Sequence, residues 1–237
     1  MEKSVYAGVT SVSEQSYPYP PVFNKLHDRL VRHPAFKAFN FALGRSEGEL
    51  SLRVVCGPDA EDSNGERRTV LYTLWPLSVE DGCPLGGTVP VRLRTLDALH
   101  EDGTIPRDIG VIRINTAGYD LEVVRGMNDR RYPVVSVGFW DDSHPFAKQN
   151  PIYTAASMIH QLRGHGYLWH ICLYRFLGQR NTFFYCNNEA PLPNSSGNLI
   201  FFQDYELFLR AQQWCSVAMP NSPSNRFHTS YAIERLF

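Results

Sequence analysis

The chain has 237 residues, 43% of them apolar and 20% charged. That balance fits one large globular domain or two small ones and excludes a wholly disordered chain. With 23 basic and 24 acidic residues the formal charge is −1, so no strong field attracts nucleic acid or an anionic membrane surface.

No apolar run approaches the ~20 residues that cross a bilayer as a helix, and residues 1–30 lack a signal-peptide pattern. Cys56, Cys83, Cys172, Cys186 and Cys215 are scattered, with no C-x-x-C pair. Such a set predicts reduced thiols in a cytoplasmic protein rather than a disulfide framework. His160, His165 and His170 recur every five residues, which fits neither one helix face nor one strand face, so no metal site is expected of them.

In chain order, SVYAGV suggests a short strand and the rest of residues 1–20 reads as irregular. Val22, Phe23, Leu26 and Leu30 give an apolar face over Pro21–Arg32, a helix that His33-Pro34 stops. Phe36–Leu43 (FKAFNFAL) reads as one buried strand. Glu49–Val55 alternates as a half-exposed strand, Gly57–Arg67 is a polar loop, and Thr69–Trp75 is a further strand. Thr88–Arg94 alternates cleanly, with Pro90 favouring an edge position, and a short helix follows at about Leu96–His100.

The clearest order comes next. Ile109–Asn115 (IGVIRIN) is an apolar strand, Thr116-Ala117-Gly118 a tight turn, Tyr119–Met127 a short amphipathic helix and Pro133–Phe139 (PVVSVGF) a second buried strand. This is a βαβ unit and implies parallel strands. Asn150-Pro151 is the expected start of a helix to about Arg163, ended by Gly164 and Gly166. Tyr167–Phe176, Thr182–Cys186 and Leu199–Gln203 read as strands, with a Pro/Asn/Ser loop over Asn187–Gly197. Asp204 caps a last helix through about Trp214, and Ser216–Phe237 is weakly patterned. Without repeats or a Gly/Ser linker, residues 1–237 read as a single α/β domain.

Ligands of open parallel sheets sit outside the carboxyl ends of the strands. The Asn115–Gly118 turn lies at such an end. Here RTLDAL (Arg94–Leu99), a gap, and IGVIRINTAGYDLEVVRGM (Ile109–Met127) together resemble the FkbM family of S-adenosylmethionine-dependent O-methyltransferases. That family shows a TLD turn and then I-K-I-D-x-E-G-x-(D/E)-x-x-x-L-x-G. His33–Leu52 is similar to its "n-x-A-L-g-x-x-x-G-x-x-x-L" segment, Pro133–Trp140 to the following strand, and Ser195–Asp204 to a "W-G-N-x-x-F" segment. The matches span about residues 20–215.

The resemblance implies a Rossmann-like methyltransferase sheet, mostly parallel, and S-adenosylmethionine as cofactor. It implies methyl transfer to a hydroxyl of a sugar or secondary metabolite; the charge of −1 and the lack of a long apolar run separately lead to no nucleic acid and no membrane as expected partners. Asn40, Ala42, Leu43, Asn115, Thr116 and Gly118 are the implied cofactor-binding residues, and Asn115 is the candidate catalytic residue. Asp141, Asp142 and His144 follow a second strand end, as a solvated loop or as a grip for a metal or an acceptor hydroxyl. Asp97 reads as a helix-start charge, and Trp140, Trp169 and Trp214 as core.

Two departures shape the expectation. The family's glycine-rich D-x-G-A-x-x-G turn is not spelled in the twenty residues before the first helix. Val5–Val9 is similar to the next strand, "V-y-a-F-E-P", with Gly8 and Val9 where Phe and the ribose-binding Glu are expected. An early half short of at least one strand follows. Secondly, I-D-x-E-G becomes Ile114-Asn115-Thr116-Ala117-Gly118, which replaces both carboxylates. An amide still accepts a hydrogen bond but carries no charge and is no general base. Weak cofactor binding is therefore expected. The alternative is a catalytically inactive, methyltransferase-like binding or partner subunit, and a small-molecule-binding domain of unrelated chemistry is a third reading.

Overall fold

The computed structural model describes residues 13–16, 18, 20–32, 36–55, 71–73, 85–116, 118–141, 154–176, 178–187 and 193–222. It is a mixed α/β structure. β1 (Ser13–Ser16) and β2 (Phe36–Phe39) pair in parallel around α1 (Pro20–Leu30). A second sheet holds β3 (Ala42–Leu43), β4 (Gly48–Val55), β5 (Leu71–Thr73) and β6 (Leu85–Arg94) in the order β3-β6-β4-β5.

The third sheet follows α2 (Leu96–Glu101). Its strands are β7 (Val111–Ile114), β8 (Val134–Trp140), β9 (Trp169–Phe176), β10 (Phe183–Cys186) and β11 (Ser195–Phe202), ordered β10-β9-β11-β8-β7. The helices α3 (Asp120–Arg125) and α4 (Ala155–Gly164) connect β7 to β8 and β8 to β9, and α5 (Tyr205–Ala218) follows β11.

The βαβ unit is present: β7 lies parallel beside β8, from Val111 opposite Val134 to Ile114 opposite Val137. β11 is antiparallel to both β8 and β9, so β7, β8 and β9 point one way with β11 inserted against them. The expectation of mostly parallel strands is corrected. Among the described residues five strand pairings are antiparallel and three parallel. The physical reason is connection length. β9 and β10 are joined by a short turn and pair antiparallel, whereas a parallel return needs a crossover.

Alternation across the sheet builds two apolar layers. Val135, Val137, Leu199 and Phe201 point to one face, where Leu96, Leu99, Leu121, Val124, Met158 and Leu162 of α2, α3 and α4 cover them. Ile171 and Phe202 point to the other face, against Phe208 of α5.

Several sequence readings change. Phe36–Leu43 is two strands in two sheets, broken at Asn40-Phe41. β1 falls within the stretch read as irregular. α4 is capped by Thr154, whose side chain accepts from the Ser157 N–H; Asn150-Pro151, like Val5–Val9, Ala117, Asp142 and His144, lies outside the described residues. β11 starts at Ser195, inside the expected loop. Trp214 is 77% exposed rather than core. Asp204 does cap α5, accepting from the Leu207 N–H at 2.8 Å. β6 is an inner strand rather than the edge expected from Pro90; among the described residues β4 alone lies beside Pro90, since β3 pairs with Leu93 and Arg94.

Among the described residues no helix is long and apolar enough to cross a membrane.

Candidate functional site

At the carboxyl end of β7 the chain turns sharply into α3. Gly118 has φ +99, a left-handed conformation that side chains resist, and a β-carbon there would sit 2.8 Å from the Trp140 ring. Two separate constraints therefore require glycine at the position the resemblance marks.

The turn is closed from below by Asp120. One carboxylate oxygen accepts from the Thr116 N–H at 3.2 Å, the Thr116 hydroxyl at 2.9 Å and the Gly118 N–H at 3.3 Å. The other accepts from the Gly138 N–H of β8 at 3.1 Å. Asp120 is buried, and burial pushes its carboxyl pKa up while these donors pull it down. A buried carboxylate is tolerated because its oxygens are supplied with donors. Sequence reasoning missed Asp120. The signal was available, since the (D/E) of the family pattern falls on it, but its role depends on a donor from β8 that no local pattern reveals.

With Asp120 closing the turn, Asn115 stays exposed, and Thr116 and Gly118 are half-buried. The β-carbon that Gly138 lacks would lie 3.1 Å from Asp120 Oδ1 and 3.7 Å from Asn115 Oδ1. The bare glycine, the amide and the carboxylate thus meet at one place. Tyr119 extends the site toward β3: a β-carbon on Gly44 would lie 3.1 Å from its ring. Burial raises the Tyr119 hydroxyl pKa, with the Glu122 carboxylate adding to it.

The remaining candidates divide. Leu43 is half-buried at the edge of the main core. Ala42 is buried beside Leu52, Val91 and Leu93, so its side chain serves the second sheet. Asn40 is exposed, between β2 and β3. Asp141 is buried at the end of β8: its N–H donates to the Ser195 carbonyl at 2.9 Å, and its carboxylate accepts from the Asn194 N–H at 3.2 Å. Asp97 belongs to the frame. It accepts from Asn128 at 2.9 Å and pairs with Arg130 at 2.6 Å, which hold its carboxyl below the usual carboxylate range.

The RTLDAL segment is a joint as well. The Arg94 guanidinium is buried between Glu47 and Asp102, each at 2.6 Å, with its carbon 6.0 Å from the Phe41 ring centre. Thr95 caps α2 through the Ala98 N–H.

S-adenosylmethionine is tested against this turn by its donors and acceptors. A ribose diol is gripped well by a carboxylate that accepts two hydrogen bonds. The turn has Asn115 where the resembled family has Asp, Ala117 where it has Glu, and a carboxylate, Asp120, already supplied with four donors. The resembled family's ribose-binding acid falls on Val9, outside the described residues, so the turn bears only on the two carboxylates replaced at Asn115 and Ala117, and it supplies neither. It can offer a neutral donor and acceptor through Asn115. Compared with protein-family models, curated proteins and solved structures, the chain matches none.

Proposed function

We propose that this chain is a methyltransferase-type domain of the FkbM kind, a Rossmann-like fold for S-adenosylmethionine-dependent methylation of a hydroxyl on a sugar or secondary metabolite, with a weakened cofactor grip. The observation that carries the reading is the β7-turn-α3-β8 unit. It pairs parallel strands, ends in a glycine turn held by a buried acid, and presents Asn115 at a carboxyl strand end, where such sheets bind ligands. Asn40, Leu43, Thr116 and Gly118 complete the proposed ligand end, and Ala42, whose side chain is buried in the second sheet, contributes only its backbone there. Asn115 orients a polar group by hydrogen bonding and does not act as a base.

A second reading, a catalytically inactive binding or partner subunit, is favoured by the neutral Asn115 and Ala117 where the resembled family carries carboxylates. Calorimetric titration with S-adenosylmethionine and S-adenosylhomocysteine separates the two. Weak, saturable binding of S-adenosylhomocysteine supports the first reading, and no heat at millimolar ligand supports the second. A charge-assisted hydrogen bond contributes roughly 1.5–3 kcal/mol, so loss of the ribose acid alone weakens binding by about tenfold to a hundredfold. Micromolar affinity in the unaltered chain would refute the weakened grip.

A further inference from the structure

We infer that Asp120 is a positioning residue, whose carboxylate holds Asn115 at the mouth of the site, and that Gly138 is bare to leave room for that carboxylate. Only the part played by Asn115 in ligand binding rests on the proposed function.

Four donors from three places along the chain converge on Asp120: Thr116 through its N–H and hydroxyl, Gly118, and Gly138 of the neighbouring strand. A helix start needs none of the β8 contact, and the side chain of Asp120 caps no N–H of α3 (its cap residue, Tyr119, makes no side-chain cap either). The bonds run backward instead, from the helix to the turn and across to β8. They fix the residues that immediately follow Asn115 against the strand beside it. The bond from Gly138 also sets the height of the turn over the sheet.

Gly138 supplies the independent observation. It lies inside β8 and is not among the glycines with positive φ, so its backbone does not require glycine. Glycine inside a strand marks a close approach. What approaches here is Asp120 Oδ1, 3.1 Å from the missing β-carbon, with Asn115 Oδ1 at 3.7 Å. A methyl group would crowd the carboxylate first. Because the acid is turned inward to these donors, the side chain left facing outward is the neutral amide. This division favours hydroxyl or amide groups of a ligand over charged ones.

The test uses the full chain labelled with nitrogen-15. In Asp120→Asn, amide exchange at Thr116, Gly118 and Gly138 accelerates by roughly tenfold to a hundredfold, the range for hydrogen bonds to a charged group, and the Asn115 side-chain NH2 signals shift. Gly138→Ala keeps the charge of Asp120 and crowds its carboxylate, so faster amide exchange at Thr116 and Gly118, which the methyl group does not touch, decides the matter if Asp120→Asn fails to fold. Asp97→Asn, which alters a carboxylate bound to Asn128 and Arg130, moves neither readout. A lower melting temperature in both site variants, with Asn115 signals unmoved in Asp120→Asn and exchange at Thr116 and Gly118 unchanged in Gly138→Ala, would overturn the inference and reduce Asp120 to a structural acid. Titration of the unaltered chain with S-adenosylhomocysteine is scored separately. Its absence of binding sinks the proposed function while the Asn115 signals still decide the positioning role.

Discussion

Asn115→Asp adds a carboxylate at the exposed end of β7 without touching the donors of Asp120. Because Asn115 and the buried Asp120 carboxylate meet beside Gly138, the new charge repels Asp120 and a loss of about 1 kcal/mol is expected, and the change does not by itself raise cofactor affinity to micromolar. Thermal unfolding and calorimetry check both halves. The frame acids have a pH signature of definite sign. Asp102, supplied by Thr104 and Arg94, is lowered from 3.8 to about 2, and Asp97 is also lowered. A carboxylate lowered on folding contributes stability above its ordinary range and loses it as pH falls through the folded value. The urea midpoint should therefore drop between pH 3.8 and about 2, and drop less steeply in Asp102→Asn. Asp120 is shifted the other way, so its own contribution declines as pH rises through its raised pKa and does not produce the acid loss. Asp97 and the turn residues were legible as positions in the sequence. Their partners, Arg130 and Gly138, were not, because both come from beyond α3 in the chain.

Two elements meet closely where glycine faces glycine. Gly126, just after α3, has no room for a β-carbon, which would collide with the Gly44 carbonyl oxygen, and the Gly126 carbonyl accepts from the Asp97 N–H. Gly126→Ala is expected to destabilise by about 1–3 kcal/mol, the cost of overpacking, read as a lower urea midpoint with unchanged slope. Leu162 of α4 is fully buried in the main core. Leu162→Ala should cost about 2–5 kcal/mol by the same measurement. The local unit β7-α3-β8 was readable because an apolar strand, a turn and a short amphipathic helix lie consecutively in sequence. The start of β11 was not. Ser195-Ser196-Gly197-Asn198 carries turn chemistry, yet lies between β8 and β9 and pairs with both. Two neighbouring strands override a weak local propensity.

Over the whole molecule, Arg94 ties the second sheet to the helical layer, since Glu47 follows β3 and Asp102 ends α2. Its partners are half-exposed, so Arg94→Met should cost about 1–3 kcal/mol, less than breaking a fully buried pair. Denaturant unfolding followed by circular dichroism checks this. Trp214 and Val217 stand exposed on α5; Trp214→Phe is expected to leave stability unchanged and to reduce the iodide-quenchable fraction of the fluorescence.

The sequence by itself determined the α/β class, the parallel βαβ unit, the Asp204 helix cap and the place of Asn115 at a carboxyl strand end. These follow from periodicity, turn residues and capping, which act over a few neighbouring residues. Tertiary structure alone decided the split of Phe36–Leu43 between two sheets, the insertion of β11 against its neighbours, the exposure of Trp214 and the closure of the site turn by Asp120. Each depends on which distant backbone supplies a hydrogen bond or an apolar face. Residue type does not reveal that partner, because the same side chain is core or surface, clamp or cap, according to what packs against it.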